Sequence, residues 1–455
     1  MNNSAAGIPN RGLRSYDSGM DELFDLPPAD PKPETPAGRG KPRLQRPQRG
    51  QVMLRPTDLE SLLPADHRAR EVWAFVGGLD LGAFHDRIRA VEGHSGRPPI
   101  DPAILVALWL YATLEGVGSA RALDRLCDEH DAYRWICGGV SVNYHTLADF
   151  RAGPDGDLDE LLVQSVASLL ARGGVTLSRV AHDGVRVRAS AGAGSYHGRG
   201  GLRKALAEAG TQVRRLRAEL DDDPAATTRR QAAARERAAR EREQRVQAAL
   251  EVLPELEAVK RRNGADPETA RASTTDAQAR VMRMGDGGWR PAYNAQLTTD
   301  VGSGLVCGVS VTNRGSDAGE LVPLVDRIER SFGMRPSEVL ADGGYVTLPD
   351  IEALELSGTA IYAPPQAPRP RRETRNPHPD SPAVARWRSR METPEAKVIY
   401  RERAAVAEWT NAQARNRGLQ RLPVRGPAKV RSVLLWFALA QNLSRTLAIR
   451  AGAAG

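Results

Sequence analysis

The chain has 455 residues, 41% hydrophobic and 26% charged, with 64 lysines and arginines against 56 acids for a formal charge of +8. That length is more than one hydrophobic core usually serves, so two or three domains are expected. No stretch approaches the ~18 apolar residues of a membrane span, no apolar segment follows a basic start as in a secretory leader, and Cys127, Cys137 and Cys307 have neither disulfide nor metal-binding spacing. A reducing, cytoplasmic location without membrane contact is expected.

Residues 1–50 are rich in proline and glycine and end on Arg39, Lys41, Arg43, Arg46 and Arg49 with no acid among them. Such a segment buries too little apolar surface to order itself, which predicts a disordered basic arm. Residues 51–172 read as an all-helical domain: IDPAILVALWLYATL opens with a proline at an early helical position, and GSARALDRLCDEH follows a glycine break. Two short helices, a Gly138-Gly139 turn and a helix starting near Asn143 have the outline of a helix-turn-helix. Tyr144, His145, Thr146 and Arg151 are its candidates for DNA groove and phosphate contacts, while a plain bundle that only packs on the next domain fits the same pattern.

From Leu177, SRVAHDGVRVRAS alternates like a strand and carries Asp183. A long insertion at 200–272 follows. Leu202, Leu206, Val213, Leu216 and Leu220 fall near heptad spacing, DDDP interrupts, and Val246, Leu250, Leu253 and Leu256 resume it, predicting an antiparallel helical hairpin. YNAQLTTDVGSGLVCGVSVTN predicts two strands joined at VGSG, ELVPLVDRIERSFG a helix, EVLADGGY a buried strand ending in Asp342, and TAIYAPP another strand. The seven arginines between Arg369 and Arg390, set among prolines, predict a mobile loop that orders on nucleic acid. Glu395 to Asn416 is predicted as one helix bearing Glu408. Residues 401–450 carry ten basic residues against Glu402 and Glu408, a basic strip suited to a phosphate backbone.

Asp183, Asp342 and Glu408, placed on two strands and a helix, can converge on one point, and carboxylate oxygens suit hard cations such as Mg²⁺. Each also has a plainer explanation: Asp183-Gly184 as a hairpin turn, Asp342-Gly343-Gly344 as a loop, Glu408 as a surface charge. At 100° per residue, Asn411 and Arg415 share the face of Glu408 while Arg403 points about 140° away, which favours Arg415 over Arg403 for a phosphate contact and sets Tyr400 at the rim. His182 is expected to be a packed core histidine, Trp409 a buried aromatic, and Asn294 and Gln296 packing residues on one strand face.

In these settings and this order the acids resemble those of the DDE transposases of bacterial insertion sequences. Tyr400, Arg403 and Glu408, spaced by two and four residues, are similar to the Tyr-Arg-Glu signature of one large branch; related branches place the glutamate one residue earlier, where Ala407 stands. The resemblance spans about residues 52–448. It implies an α+β fold: a ribonuclease-H-like mixed sheet flanked by helices, built from residues 173–199 and 273–455, with the helical DNA-binding domain before it and the helical hairpin inserted. It further implies two Mg²⁺ or Mn²⁺ ions, Asp183 bridging both and Asp342 and Glu408 each completing one. The expected activity is cleavage of the ends of an insertion sequence and joining of the 3′-hydroxyl to target DNA. Its partners would be terminal inverted repeats, target DNA and further copies of the chain, in a homodimer or larger synaptic assembly. A ribonuclease-H-like nuclease without strand transfer and a domesticated DNA-binding protein are the alternatives.

Overall fold

A computed structural model describes residues 58–91, 98–153, 155–222, 226–365 and 380–453. The expected basic arm at 1–50 and the 366–379 part of the arginine-rich segment lie outside the described residues.

Seven helices come first: α1 (Arg68–Val76), the short α2 (Gly82–His85), α3 (Pro102–Leu114), α4 (Ala120–Glu129), α5 (Asp131–Cys137), α6 (Tyr144–Arg151) and α7 (Asp155–Leu170). Helix α3 starts where the sequence indicates, with Pro102 in its first turn and the Asp101 carboxylate accepting from the Ala103 N–H at 2.8 Å. It is apolar on every face, and nearly all of it is buried, as befits a helix packed from all sides. Cys127 and Cys137, unpaired by sequence spacing, are buried free thiols close enough for each to perturb the other.

Next come β1 (Arg179–Arg188), β2 (Tyr196–His197), the insertion helices α8 (Arg199–Asp222) and α9 (Ala226–Arg262), β3 (Ala272–Ser273), β4 (Arg280–Arg283), β5 (Trp289–Asp300) and β6 (Val306–Thr312). Helices α8 and α9 pack along each other, and at the hairpin base Leu202, Ala249 and Leu253 form a small core with Ala270 and Ala272. The remainder is α10 (Leu321–Phe332), β7 (Glu338–Leu340), α11 (Leu348–Leu356), β8 (Ala360–Tyr362), α12 (Pro382–Glu392), α13 (Pro394–Arg403), α14 (Trp409–Asn416) and α15 (Pro427–Ala453).

The main sheet is mixed, with β1 inside it. Strand β5 runs antiparallel to β1 with Asp183 opposite Leu297, and β7 runs parallel to β1 with Ala181 opposite Leu340. Strand β8 continues parallel to β7, while β6 and β4 pair antiparallel with β5. The 284–288 turn that makes β4 a partner of β5 has no counterpart among the predicted strands. Along β1, alternation puts Ala181, Asp183, Val185 and Val187 on one face, so Val180 belongs to the opposite face from Asp183 and not to its row.

Helix α15 packs on α3, α7 and β6. The N-terminal helices and one sheet face therefore share a core that includes Leu108, Trp109, Tyr293, Val309, Trp436 and Phe437. A second core, with Val339, Leu340, Tyr345, Trp387 and Ala407, fills the other side. Where an arginine-rich loop is expected, residues 382–392 form helix α12, because Ser381 caps it and Val384, Trp387 and Met391 bury one side. Arg390 on that helix pairs with Glu355. Among the described residues, no helix is long and apolar enough to cross a membrane.

Candidate active site

Asp183 is a mid-strand residue of β1, not a turn residue. Its Oδ1 accepts the Gly184 N–H at 3.0 Å and its Oδ2 accepts from Asn411 Nδ2 at 2.9 Å. Arg403 Nη1 stands 3.7 Å from Oδ1. Burial pushes this carboxyl above the usual carboxylate range; Arg403 and the Gly184 N–H oppose that shift, and the negative charges of Asp342 and Asp317 add to it.

Strand β7 positions the second acid. Its parallel register with β1 pairs Ala181 with Leu340, and two further residues along each chain bring Asp183 level with Asp342. The chain stays extended to Ala341, whose N–H donates to Tyr362 O at 3.1 Å, and then turns through Gly343–Tyr345. Tyr345 is buried and donates through Oη to Gln296 Oε1 at 2.5 Å, which pins the turn to β5.

The third acid is not with them. Glu408 is exposed, and among the described residues no three His, Cys, Asp or Glu side chains gather to hold a metal ion. The strand register sets Asp183 level with Asp342, but Asp183, Asp342 and Glu408 do not together form such a group. The predicted continuous helix is also interrupted: residues Ala404–Glu408 make a π-turn between α13 and α14. A π-turn bonds residues five apart where an α-turn bonds those four apart. It absorbs the extra residue in the spacing from Arg403 to Glu408 and returns both ends of the turn to one side of the helix. Ala407, where a shorter spacing would set the glutamate, is 3% exposed and faces the core.

That turn overrides the uniform 100° rotation used to rank the arginines. Arg403, not Arg415, reaches the first acid, and its guanidinium lies 5.6 Å over the Tyr400 ring. Desolvation works against its charge, but Tyr400, Asp183 and Asp342 outweigh it and hold its pKa above the ordinary value. Arg415 is exposed. Trp409, expected to be buried, is 38% exposed beneath the Arg445 guanidinium, 5.3 Å from its ring centroid. Glu402 on α13 is held by Arg179, Nη1 to Oε1 and Oε2 at 3.1 and 2.8 Å.

On the opposite face of β1, Asp317 accepts from Asn294 Nδ2 at 2.6 Å and Gln296 Nε2 at 2.8 Å, with Arg186 Nη2 at 3.4 Å. Asn294 and Gln296 are therefore the anchors of a carboxylate rather than plain packing residues. Their alternation was a visible signal; the loop acid they hold was not, since nothing near Asp317 in sequence marks it. Gly184 makes the approach possible: a Cβ there would meet Gln296 Nε2 at 2.7 Å and Asp317 Oδ1 at 2.8 Å. His182 is a core histidine as expected, 1% exposed, bonded through Nδ1 to Thr298 Oγ1 at 3.1 Å and set edge-on to Tyr345.

In the N-terminal part, α4 packs on both α5 and α6. Asn143 caps α6, accepting from Thr146 N at 3.0 Å. His145 is exposed and stacked against half-buried Tyr144, their rings 3.9 Å apart. Arg151 is not available as a surface phosphate contact. It is 8% exposed, donates to Gly118 O and lies 4.9 Å over the Trp109 ring. Seven residues are close to two full helical turns, so Arg151 follows Tyr144 inward.

Residues 57–153 match the family described as Transposase domain (DUF772), and residues 265–443 match Transposase DDE domain. Asp183 falls between the two matched segments but on the strand that joins β5 to β7 in the sheet of the second. No curated protein and no solved structure matches the chain. With both matched segments described as transposase domains, the chain belongs to the DDE-type insertion-sequence transposases.

Proposed function

We propose that the chain cuts DNA at the ends of its insertion sequence and joins the freed 3′-hydroxyl to target DNA. The observation that carries this is the pairing of Asp183, in the middle of β1, with Asp342, just past the end of the adjacent parallel strand β7, in a chain matched by the transposase DDE family. The strand order, with β5 antiparallel to β1 on one side and itself flanked by β4 and β6, and β7 and β8 parallel to β1 on the other, supports a ribonuclease-H-like catalytic domain.

The donor set is oxygen only, which fits Mg²⁺ or Mn²⁺. Asp183 and Asp342 would hold such ions, and Glu408 is proposed as the third ligand, brought in from its exposed position when DNA and metal bind. Bound divalent ions would acidify the attacking hydroxyl or water and neutralise charge on the leaving oxygen. The chain's own residues prepare the site. Asn411 and the Gly184 N–H fix the two oxygens of Asp183, and Arg403 supplies a nearby cation for a phosphate oxygen. Tyr400 joins this rim, Arg415 extends it, and Tyr144 and His145 are proposed DNA contacts of the helical segment. Pairing of two element ends calls for a homodimer or larger assembly.

The test is cleavage of duplex DNA carrying the inverted repeats that flank the gene, with Mg²⁺, Mn²⁺, Ca²⁺ or EDTA. Cleavage and strand joining are expected with the first two, binding with little cleavage in Ca²⁺, and none in EDTA. Undiminished cleavage in EDTA overturns the metal-dependent mechanism; cleavage with no joining at any target would favour a nuclease.

A further inference from the structure

Where helices α3, α4 and α6 meet residues 417–437, a cavity of about 600 Å³ opens, lined by Arg121, Tyr144, Arg151, Arg417, Arg421 and Trp436 among others. It joins the two segments that match transposase families. Four guanidinium groups line it, and among the described residues none of the four has a carboxylate partner. Arg151 is buried and Arg417 half-buried. Arg151 is 8% exposed, and its Nε is buried with no hydrogen-bond partner among the described residues. Arg417 spends its donors on neutral groups, Gln441 Oε1 at 2.8 Å and Ser444 Oγ at 3.0 Å. Burial alone pulls Arg151 down to about 10, and burial with repulsion from Arg68 does the same for Arg417.

A buried cation without a counter-charge is costly, and folds normally satisfy it with an acid or a bound anion. Here the acid is missing from a cavity of ligand size. Arginine forks pair bidentately with the oxygens of carboxylate and phosphate groups, and a site with four of them suits the higher charge of phosphate. We propose that this cavity binds a phosphate group, held by Arg151 and Arg417 from within and by Arg121 and Arg421 at the mouth. Phosphate can arrive on a DNA backbone or as a free ion. Binding of the free ion does not depend on the catalytic assignment; the DNA source rests on the proposed DNA-binding function.

The experiment uses the full chain and inorganic phosphate, titrated at constant ionic strength against chloride while thermal unfolding is followed. A saturable rise in Tm is expected for the wild type, since a ligand bound only by the folded state stabilises it. Arg151→Met should abolish the rise, and Arg121→Gln and Arg421→Gln should weaken it. These last two are exposed positions, so they keep the test decisive if Arg151→Met fails to fold. A gel shift with element-end duplex then identifies the source: affinity weakened at least about tenfold in the same variants, roughly 1.4 kcal/mol, assigns a backbone phosphate, and unchanged DNA affinity alongside a lost phosphate response assigns a free one. No phosphate-dependent rise in the wild type, or an equal rise in every folded variant, overturns the proposal.

Discussion

Arg403 and Asp183 form an ion pair, Nη1 to Oδ1 at 3.7 Å, across the contact between the inner strand of the sheet and the π-turn that ends at Glu408. Both side chains are mostly withdrawn from water, 14% and 21% exposed, so the pair is screened less than a surface one. It ties the helical segment that carries Glu408 to the strand that carries Asp183.

Arg403→Gln is accordingly expected to lower cleavage of element-end DNA by roughly 10²-fold, the usual scale for removing one electrostatic donor from a reaction site. Arg415→Gln, at an exposed position, should lower it no more than a few-fold. Rates of the two variants under single-turnover conditions decide between them; equal losses would return Arg415 to the site.

Glu408→Gln should reduce cleavage by orders of magnitude while gel-shift binding of the element end persists. Glu395→Gln, exposed in the first turn of α13, should retain activity. Glu402→Gln loses the Arg179 pair but sits 38% exposed, so it should cost less than about 1 kcal/mol of stability and keep most activity. A fully active Glu408→Gln would remove that residue from the mechanism.

Deleting Ala405, an exposed residue of the π-turn, should leave the fold intact. The helix can revert to α-turns there without rotating α14, so Asn411 stays against Asp183. Deleting Ala412 from α14 offers no bulge to absorb the loss and rotates every later residue by about 100°. Circular dichroism and thermal melts of the two deletions should show near-wild-type folding for the first and severe destabilisation for the second; similar melts for both would contradict the compensating role of the turn.

His182 is held down to about 4 from its ordinary 6.5, first of all by burial. The unfolded chain therefore takes up a proton, as pH falls below 6.5, that the folded chain refuses. The stability contributed by the neutral ring is complete above pH 6.5 and is lost progressively toward pH 4. Thermal melts between pH 7.5 and 4.5 in EDTA, which removes metal occupancy from the comparison, should fall less steeply for His182→Asn than for the wild type. Parallel slopes would mean the ring titrates normally.

Much of this architecture was written locally in the chain. Asp183 and Asp342 follow apolar runs because the first sits on a buried strand and the second just past the end of one, and burial on a strand leaves a mark that period and composition reveal. The helical hairpin, the VGSG turn, the caps at Asp101 and Asn143 and the core place of His182 follow from neighbours within a few residues. The tertiary structure alone decided the rest. Asp317 rests on Asn294 and Gln296, Arg151 turns inward over Trp109, and a π-turn exchanges Arg415 for Arg403 at the first acid. Each of these joins groups that are distant in sequence or departs from ideal helical geometry. Such choices follow from packing and from the cost of an unpaired buried polar group, which depends on partners that only the folded chain brings together.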